Sequence, residues 1–527
     1  MNTNFKPLGL VAAVATATAG YAGVANAQDY AARTELGDLA IVPYYTVMEG
    51  YATGVNIVNT ADETQVIKFR FRRATDSMDA LDFNVVLSPY DMYTGFISMS
   101  GDDITWTSND NSCTAPAYNV GDNKFAMPDI YREDAETGYI EIISMGSVDE
   151  TTGSQALAVA AKHDSTGMPA DCDAVRDNFF AGGVSNSKKG VVSSSATVGP
   201  NIAVEGAPLA TTNYVASSDS LKVSFFIKSD ATGTEFGDNA VHIEGFLDTP
   251  SITNQQTGIF SNDLQGFDYP DLNGGAPTNP ASRGKFNALR EALAASKLVN
   301  DWSANVAGDF SVDTDWVVTY PGQYVQLDLA AYIPMTIYGA GNEDLCLRAG
   351  ETADPELGEV PNCDFRDIPV TASITVYDRE EQEVTVEEGE LVVSPSPPVI
   401  TPKITLDNEV NVIQWGGAPV LNAPVAITGL DVPAGASFGW ASLVGSPSAN
   451  NDRLCDWDLA ALAQLEDDPE ANVDPYVCVE DPAPVGDVVF TNTAPAVGFV
   501  AWQRNFGANP DANYGRIVEH SRSQPAS

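Results

Sequence analysis

The sequence predicts a mainly β protein, built as antiparallel, immunoglobulin-like β-sandwich domains with few short helices and long loops. Three observations predict it. In Ile67-Lys68-Phe69-Arg70-Phe71-Arg72, apolar and charged side chains alternate with the period of two of a half-buried strand. Similar short runs recur along the chain, separated by Asn, Asp, Gly and Pro, the residues that turn an antiparallel sheet. Only one long segment, residues 283–302, carries apolar residues at helical spacing.

In chain order, residues 1–27 read as a secretory leader: Lys6, an apolar Ala-rich run, then the small-x-small site Ala25-Asn26-Ala27. A soluble mature chain is then expected to start at Gln28 and to act outside the cytoplasm. The runs GVNIVNT and ADETQVI form strand, turn and strand, with Asn59-Thr60-Ala61-Asp62 as the turn. IKFRFRR is answered by LDFNVVL, where Leu81, Phe83 and Val85 share a face and Asp82 and Asn84 lie on the reverse. The corner Ser88-Pro89-Tyr90-Asp91 fits a type I turn, with Pro ending the strand before it. Further strands are expected at 139–145, 221–227, 240–246, 315–321 and 372–378. The helix over 283–302 is capped by Ser282 and striped by Phe286, Leu289, Leu293 and Leu298. Shorter helices are expected after Cys172 and at 457–465, and residues 183–215 read as loop.

The Pro-rich strip VVSPSPPVITP, 392–402, reads as a semi-rigid spacer. It suggests an N-terminal β-sandwich at 28–230, a second β-rich region at 231–391 and a C-terminal β domain at 403–527. The chain carries 26 basic and 72 acidic residues, a net charge of −46. Nucleic acid and anionic lipid would be repelled, and no stretch of the mature chain is long and apolar enough for a membrane helix.

Six cysteines in an exported chain read as disulfides. Sequence neighbours suggest Cys113–Cys172, Cys346–Cys363 and Cys455–Cys478; zinc would need a CxxC or CxH spacing that the chain lacks. Between the last two cysteines Asp456, Asp458, Asp467, Asp468, Glu470 and Asp474, with Glu466, offer the oxygen ligands calcium prefers, against the plainer reading of a solvated loop. A run from Asp271 begins like a calcium loop but has Ser282 at its twelfth position, where an EF-hand needs Glu. No cofactor is expected, with calcium as the alternative.

Binding candidates are Tyr90 and Tyr93, which can stack on a sugar or a partner, and the basic row Lys68, Arg70 and Arg72. That row reads either as a patch for an acidic partner or as cross-strand pairing with Asp82 and with Asp62 or Glu63. Gly435-Ala436-Ser437-Phe438-Gly439 matches G-x-S-x-G, and His520 follows downstream. A nucleophile elbow needs strand, serine, helix, whereas here a strand-like WASLV follows the serine. No catalytic residue is assigned.

LGDLAIVPYYTV, GVNIVNT, LDFNVVLSPYDMYTGFI, GYIEII, TDWVVTYP, EVNVIQW and the closing YGRIVEHS together resemble a group of exported, β-rich cell-surface proteins of Gram-negative bacteria. The resemblance implies export and a surface or secreted location, and it carries no residue roles. The expected function is a non-enzymatic structural or adhesive protein of the cell surface or extracellular space, with the periplasm as the other compartment. It would associate with itself or with a cell-surface or glycan partner. A calcium-stabilised carbohydrate-binding module and a secreted hydrolase are the alternatives.

Overall fold

A computed structural model describes residues 30–31, 35–75, 77, 79–119, 123–132, 134–148, 155–179, 192–193, 214–252, 270, 272, 289, 292–293, 295, 297–304, 310–322, 370–383, 403–416, 418–424, 426–433, 435–446, 454–457, 476–479 and 495–523. Its architecture is mainly β, in open antiparallel sheets of the sandwich type, as the alternation predicts.

The first sandwich pairs an eight-stranded sheet with a six-stranded one. At the centre of the larger sheet lie Leu39–Thr46, Thr137–Val148, Gln65–Arg73 and Asp79–Leu87, all antiparallel. The smaller sheet runs Glu235–Asn239, Leu221–Ser229, Tyr51–Asn59, Met92–Ser100, Asp103–Thr107, Lys124–Ala126. Phe69, Phe71 and Phe83 face inward and meet Trp106 from the opposite sheet, with ring centroids 4.9, 5.6 and 6.2 Å apart. Gln65–Arg73 and Asp79–Leu87 form a hairpin, but the strands on either side of this pair belong to the other sheet. Tyr51–Asn59 and Gln65–Arg73 lie in different sheets, as do Asp79–Leu87 and Met92–Ser100, so both connecting turns cross the sandwich rim.

At one end of the larger sheet, the helices Gln155–Ala161 and Cys172–Arg176 cover Val66, Val86 and Met145 with a small satellite core. Asp171 caps the second helix by accepting from the Ala174 N–H at 3.0 Å. The Cys113–Cys172 disulfide ties this helix to the sheet edge.

The second sandwich has five strands in each sheet. Lys403–Leu406, Val370–Asp378, Phe438–Ser446, Lys297–Ser303 and Ser521–Ser523 form its outer sheet. Ala426–Ile427, Val410–Gln414, Ser311–Thr319, Val497–Asn505 and Tyr514–Glu519 form its inner sheet. Trp302, Trp316 and Trp415 fill the space between the two sheets.

Both faces of the inner sheet are buried. Trp316, Val318, Val500 and Trp502 point into the second core, while Val317, Phe499 and Ala501 join the first. The Phe225 and Phe499 rings meet across this junction at 6.0 Å. Polar contacts run along it too: Thr319 Oγ1 donates to the Pro43 carbonyl at 2.7 Å, and the Val410 N–H donates to the Ala74 carbonyl at 3.0 Å.

Two sequence expectations are corrected. Lys297–Ser303, placed at the end of a helix, is a strand hydrogen-bonded to Phe438–Ser446; residues 289, 292 and 293 are helical. Sheet completion outweighs local helical spacing there, because Leu298 and Trp302 fill the second core from a strand. Nor is 403–527 a separate β unit. Strands before the Pro-rich strip, at 297–303, 311–319 and 370–378, pair with strands after it. Trp457, the first residue of the helix expected at 457–465, ends the strand Leu454–Trp457; the rest of that segment, the strip itself, residues 1–27, and all of 183–215 except 192–193 and 214–215 lie outside the described residues.

Candidate functional site

The predicted binding residues separate into three environments. Lys68, Arg70 and Arg72 share the back face of the larger sheet with 0 %, 0 % and 4 % exposure, so they do not form a surface patch. Lys68 pairs with Asp82; Arg70 reaches Asp79 at 2.9 Å and Glu141 at 3.3 Å; Arg72 reaches Glu141 at 3.3 Å. The Pro270 carbonyl accepts from Arg70 Nη1 at 3.1 Å, and Glu409 of the second unit approaches Tyr139 Oη at 3.4 Å. Cross-strand pairing with Asp82 is thus observed, while the other partners are Asp79 and Glu141. The face is covered because segments far along the chain lie over it.

Tyr93 is fully buried, with its hydroxyl accepting from Trp106 Nε1 at 2.9 Å, so it belongs to the core and offers no stacking surface. Tyr90 is 71 % exposed. Its φ of +61° at the third position makes the corner type II rather than type I. That backbone conformation costs about 1–3 kcal/mol in a non-glycine residue. It is held by the Tyr90 N–H donating to the Ala61 carbonyl at 3.1 Å, while the Asn59 N–H donates to Asp91 O at 2.9 Å. The two rim turns therefore clasp each other. Fastening them is the corner's structural task, and Tyr90 is its exposed side chain.

Ser88, His163 and Asp91 also meet at this corner. Both Ser88 Oγ, at 3.5 Å, and Asp91 Oδ2, at 3.3 Å, face the same His163 nitrogen, Nδ1. A catalytic triad needs one partner on each ring nitrogen, so this is a loop fastening and not a relay. Burial raises the Asp91 carboxyl, against the pull of His163.

Ser437 and His520 do not come together as a triad. The backbone after Ser437 enters the strand Phe438–Ser446. His520 is buried, with Nε2 2.9 Å from the Val317 carbonyl and Nδ1 3.0 Å from Asn300 Nδ2. A carbonyl only accepts, so the neutral ring donates through Nε2 and accepts from the Asn300 amide at Nδ1. Both nitrogens are occupied, and burial pushes the imidazole down to about 4.

The cysteine and calcium expectations fall partly outside the described residues. Cys113–Cys172 is bonded, and the register sets Cys455 directly opposite Cys478, with Asp456 opposite Val477. Cys346, Cys363, Asp458, Asp467, Asp468, Glu470 and Asp474 lie outside the described residues. Among the described residues, no three His, Cys, Asp or Glu side chains are grouped to hold a metal ion.

A cavity of about 220 Å³ lies where the two sandwiches meet. On one side the chain leaves the smaller sheet at Asn239 and enters the larger at Val241; on the other it leaves the inner sheet at Glu519 and enters the outer at Ser521. Sheet-switching corners bring polar side chains beside apolar walls, here Phe225, Phe499 and Ile517. Gly498 is needed beside it: a Cβ there would stand 2.0 Å from the Val317 carbonyl.

Glu35, Asp238, Glu519, Arg522 and His242 supply the polar lining. Asn239 Nδ2 donates to Glu35 Oε2 at 2.7 Å, and Arg522 Nη2 lies 3.7 Å from Glu519 Oε1. Burial raises the Asp238 carboxyl, and the Glu35 charge adds to the effect. Glu519 is raised by burial first, then opposed by Arg522 and reinforced by Asp238 and Glu35. Burial also lowers the Arg522 guanidinium.

His242, 4 % exposed, accepts from the Val223 N–H at Nε2, 2.8 Å away. The neutral ring therefore carries its proton on Nδ1, and the Ala240 backbone carbonyl is the acceptor beside it. Burial pushes this imidazole down to about 4. None of the cavity residues was singled out by the sequence. Their positions span 35 to 522, and the one local signal was a histidine within the strand-like run AVHIEGF.

No family model, curated protein or solved structure matches this chain. Among the described residues no helix is long and apolar enough to cross a membrane.

Proposed function

We propose that the chain is an exported, non-enzymatic structural or adhesive protein of the cell surface or extracellular space. The observation that carries this reading is the inner five-stranded sheet, which gives one face to each core. Domains joined only by a linker rotate freely, whereas a large apolar interface locks them. Two sandwiches locked in this way transmit force without yielding at a hinge, which suits an assembly or attachment subunit. The net charge of −46 favours partners that are cationic or bridged by divalent ions.

The test is the light-scattering mass of the chain from Gln28 to Ser527, with calcium and with chelator, alongside binding to whole cells. Assemblies or cell retention are the expected result. A monomer under both conditions that also fails to bind cells overturns the reading.

Tyr90, held outward by the clasped rim turns, favours glycan binding as a second reading. Retention on a polysaccharide column, lost in Tyr90→Ala, is its test. Calcium at the Asp456–Asp474 loop predicts a higher Tm with calcium than with chelator.

A further inference from the structure

We propose that one end of the second sandwich binds an acidic polysaccharide, its uronate carboxylates held by Arg504 and Arg516 and its sugar rings resting on the aromatic side chains beside them. This rests on the adhesive reading, for which it names a partner and a place.

The hairpin of Val497–Asn505 and Tyr514–Glu519 builds the patch. Its register sets Trp502 opposite Arg516 and Arg504 opposite Tyr514, so these four share one face. The two arginines are diagonal neighbours, which an antiparallel sheet places about 7–8 Å apart. Further along the same face lie Trp316 and Val500 of the second core. Toward the hairpin tip the face reaches solvent, where Phe310 is 37 % and Tyr514 42 % exposed.

Charge comes first. Surface arginines elsewhere sit against carboxylates: Arg132 with Asp103, Arg176 with Asp173 at 2.9 Å, and Arg379 with Glu380 at 3.8 Å. Among the described residues Arg504 and Arg516 have no carboxylate partner, on a chain of 72 acidic and 26 basic residues. They lie on rings instead. The Arg516 guanidinium is 4.9 Å from the centre of the Trp502 ring, and that of Arg504 is 5.4 Å from Tyr514 and 5.9 Å from Phe310. A guanidinium laid on a ring keeps its N–H edge for an acceptor in its own plane, and a carboxylate fits that fork with two parallel hydrogen bonds. Arg504 gives one donor to the Tyr514 hydroxyl, while Arg516 is exposed.

The rings are a second observation, independent of charge. Phe506 meets Phe310 at 5.2 Å and Tyr514 at 6.3 Å between centroids, so three aromatic side chains form one partly exposed surface. Such rings offer apolar faces to the C–H face of a sugar. The surface is also fixed in advance. The Phe506 N–H donates to Asn513 Oδ1 at 2.8 Å, and Gln503 Nε2 donates to Thr234 Oγ1 of the first sandwich at 3.2 Å. A surface ordered before binding loses less entropy on binding.

Charge also selects the occupant. A second copy of the chain would bring −46 against −46. A single glycan strand meets only the field within about 8 Å at physiological salt, where the two arginines lie.

The experiment is titration calorimetry of the chain from Gln28 to Ser527 in chelator, which removes calcium bridging between acidic partners. The probes are hexagalacturonate, its fully methyl-esterified form and hexathymidylate. Saturable binding of hexagalacturonate is expected, with the ester and the oligonucleotide each at least tenfold weaker. Arg504→Ala and Arg516→Ala should each weaken binding at least fivefold, and Tyr514→Ala several-fold. Arg516→Lys should weaken it about threefold, because a point charge replaces the fork. Lys124→Gln, an exposed change at the far edge of the six-stranded sheet, should leave it unaltered. Arg516 is exposed, so its variants should keep the fold, which equal melting temperatures would verify; the ester comparison needs no variant. The inference fails if hexagalacturonate does not bind, if its ester binds equally well, or if both arginine variants bind like the parent. Equal binding of hexathymidylate overturns the sugar assignment, because any polyanion would then serve. Cell retention or assembly seen without uronate binding overturns this inference and leaves the adhesive reading standing.

Discussion

Arg70 donates to Glu141 and lies beside Asp79 with no exposed surface. Charges so deeply buried contribute little net stability as complete pairs, but removing one partner strands the other. Arg70→Ala should therefore destabilise the fold by about 3–5 kcal/mol, read from urea denaturation. A change below 1 kcal/mol would mean that water reaches the site and the network is not sealed. The alternation in IKFRFRR shows on which side of the strand Arg70 lies. It contains no information on what covers that side, because the Pro270 carbonyl is 200 residues away. The same limit explains Tyr93. Its place in the alternation along Met92–Ser100 is local, but its burial depends on Trp106 and Tyr118 closing over it.

At the scale of elements, the inner sheet joins the sandwiches and its edge strand Tyr514–Glu519 lies against Glu235–Asn239. Gly515 permits that approach: a Cβ there would stand 2.5 Å from the Phe236 ring and 2.9 Å from the Glu235 carbonyl. Gly515→Val should lower stability by about 1–3 kcal/mol through overpacking, seen as a lower Tm. An unchanged Tm would mean that the two edges do not touch in solution. The strands themselves were legible, with DWVVTYP, LKVSFFI and ASITVYD all observed as strands. The near-continuous apolar runs in DWVVTYP and VGFVAWQ also carry the mark of a sheet buried on both faces. What failed was the helix through Lys297–Ser303. Phe286, Leu289 and Leu293 lie at helical spacing, but from Lys297 on a strand seat beside Phe438–Ser446 outweighs the continuation of that helix.

For the whole molecule, buried titratable groups set the response to acid. His242 and His520 stay neutral down to about 4 when folded, whereas an unfolded imidazole takes up its proton near 6.5. Their contribution falls as pH drops from about 6.5 to about 4. Asp38 and Asp315, each accepting two backbone N–H donors, are pushed by burial to about 7, while the unfolded carboxyl loses its proton near 3.8. Their contribution falls in the opposite direction, as pH rises from about 4 to 7. The two pairs oppose each other between these limits. Asp315→Asn removes one of the two carboxyls on that side of the balance, so its stability should rise with pH between 4.5 and 6.5 about 1.4 kcal/mol per unit more steeply than the parent. Parallel profiles would show that Asp315 is already ionised throughout that range.

By itself the sequence determined the strand content, the alternation of faces, the sandwich class and the Cys113–Cys172 disulfide. These follow from the period of two along a strand and from spacing between neighbours, both of which are local. Only the tertiary structure decided that the basic row is sealed, that strands on both sides of residues 392–402 share sheets, and that Glu35, Asp238, His242 and Glu519 face one cavity. Each of those depends on which distant segments come together to bury apolar surface, and a single chain's periodicity leaves that pairing open.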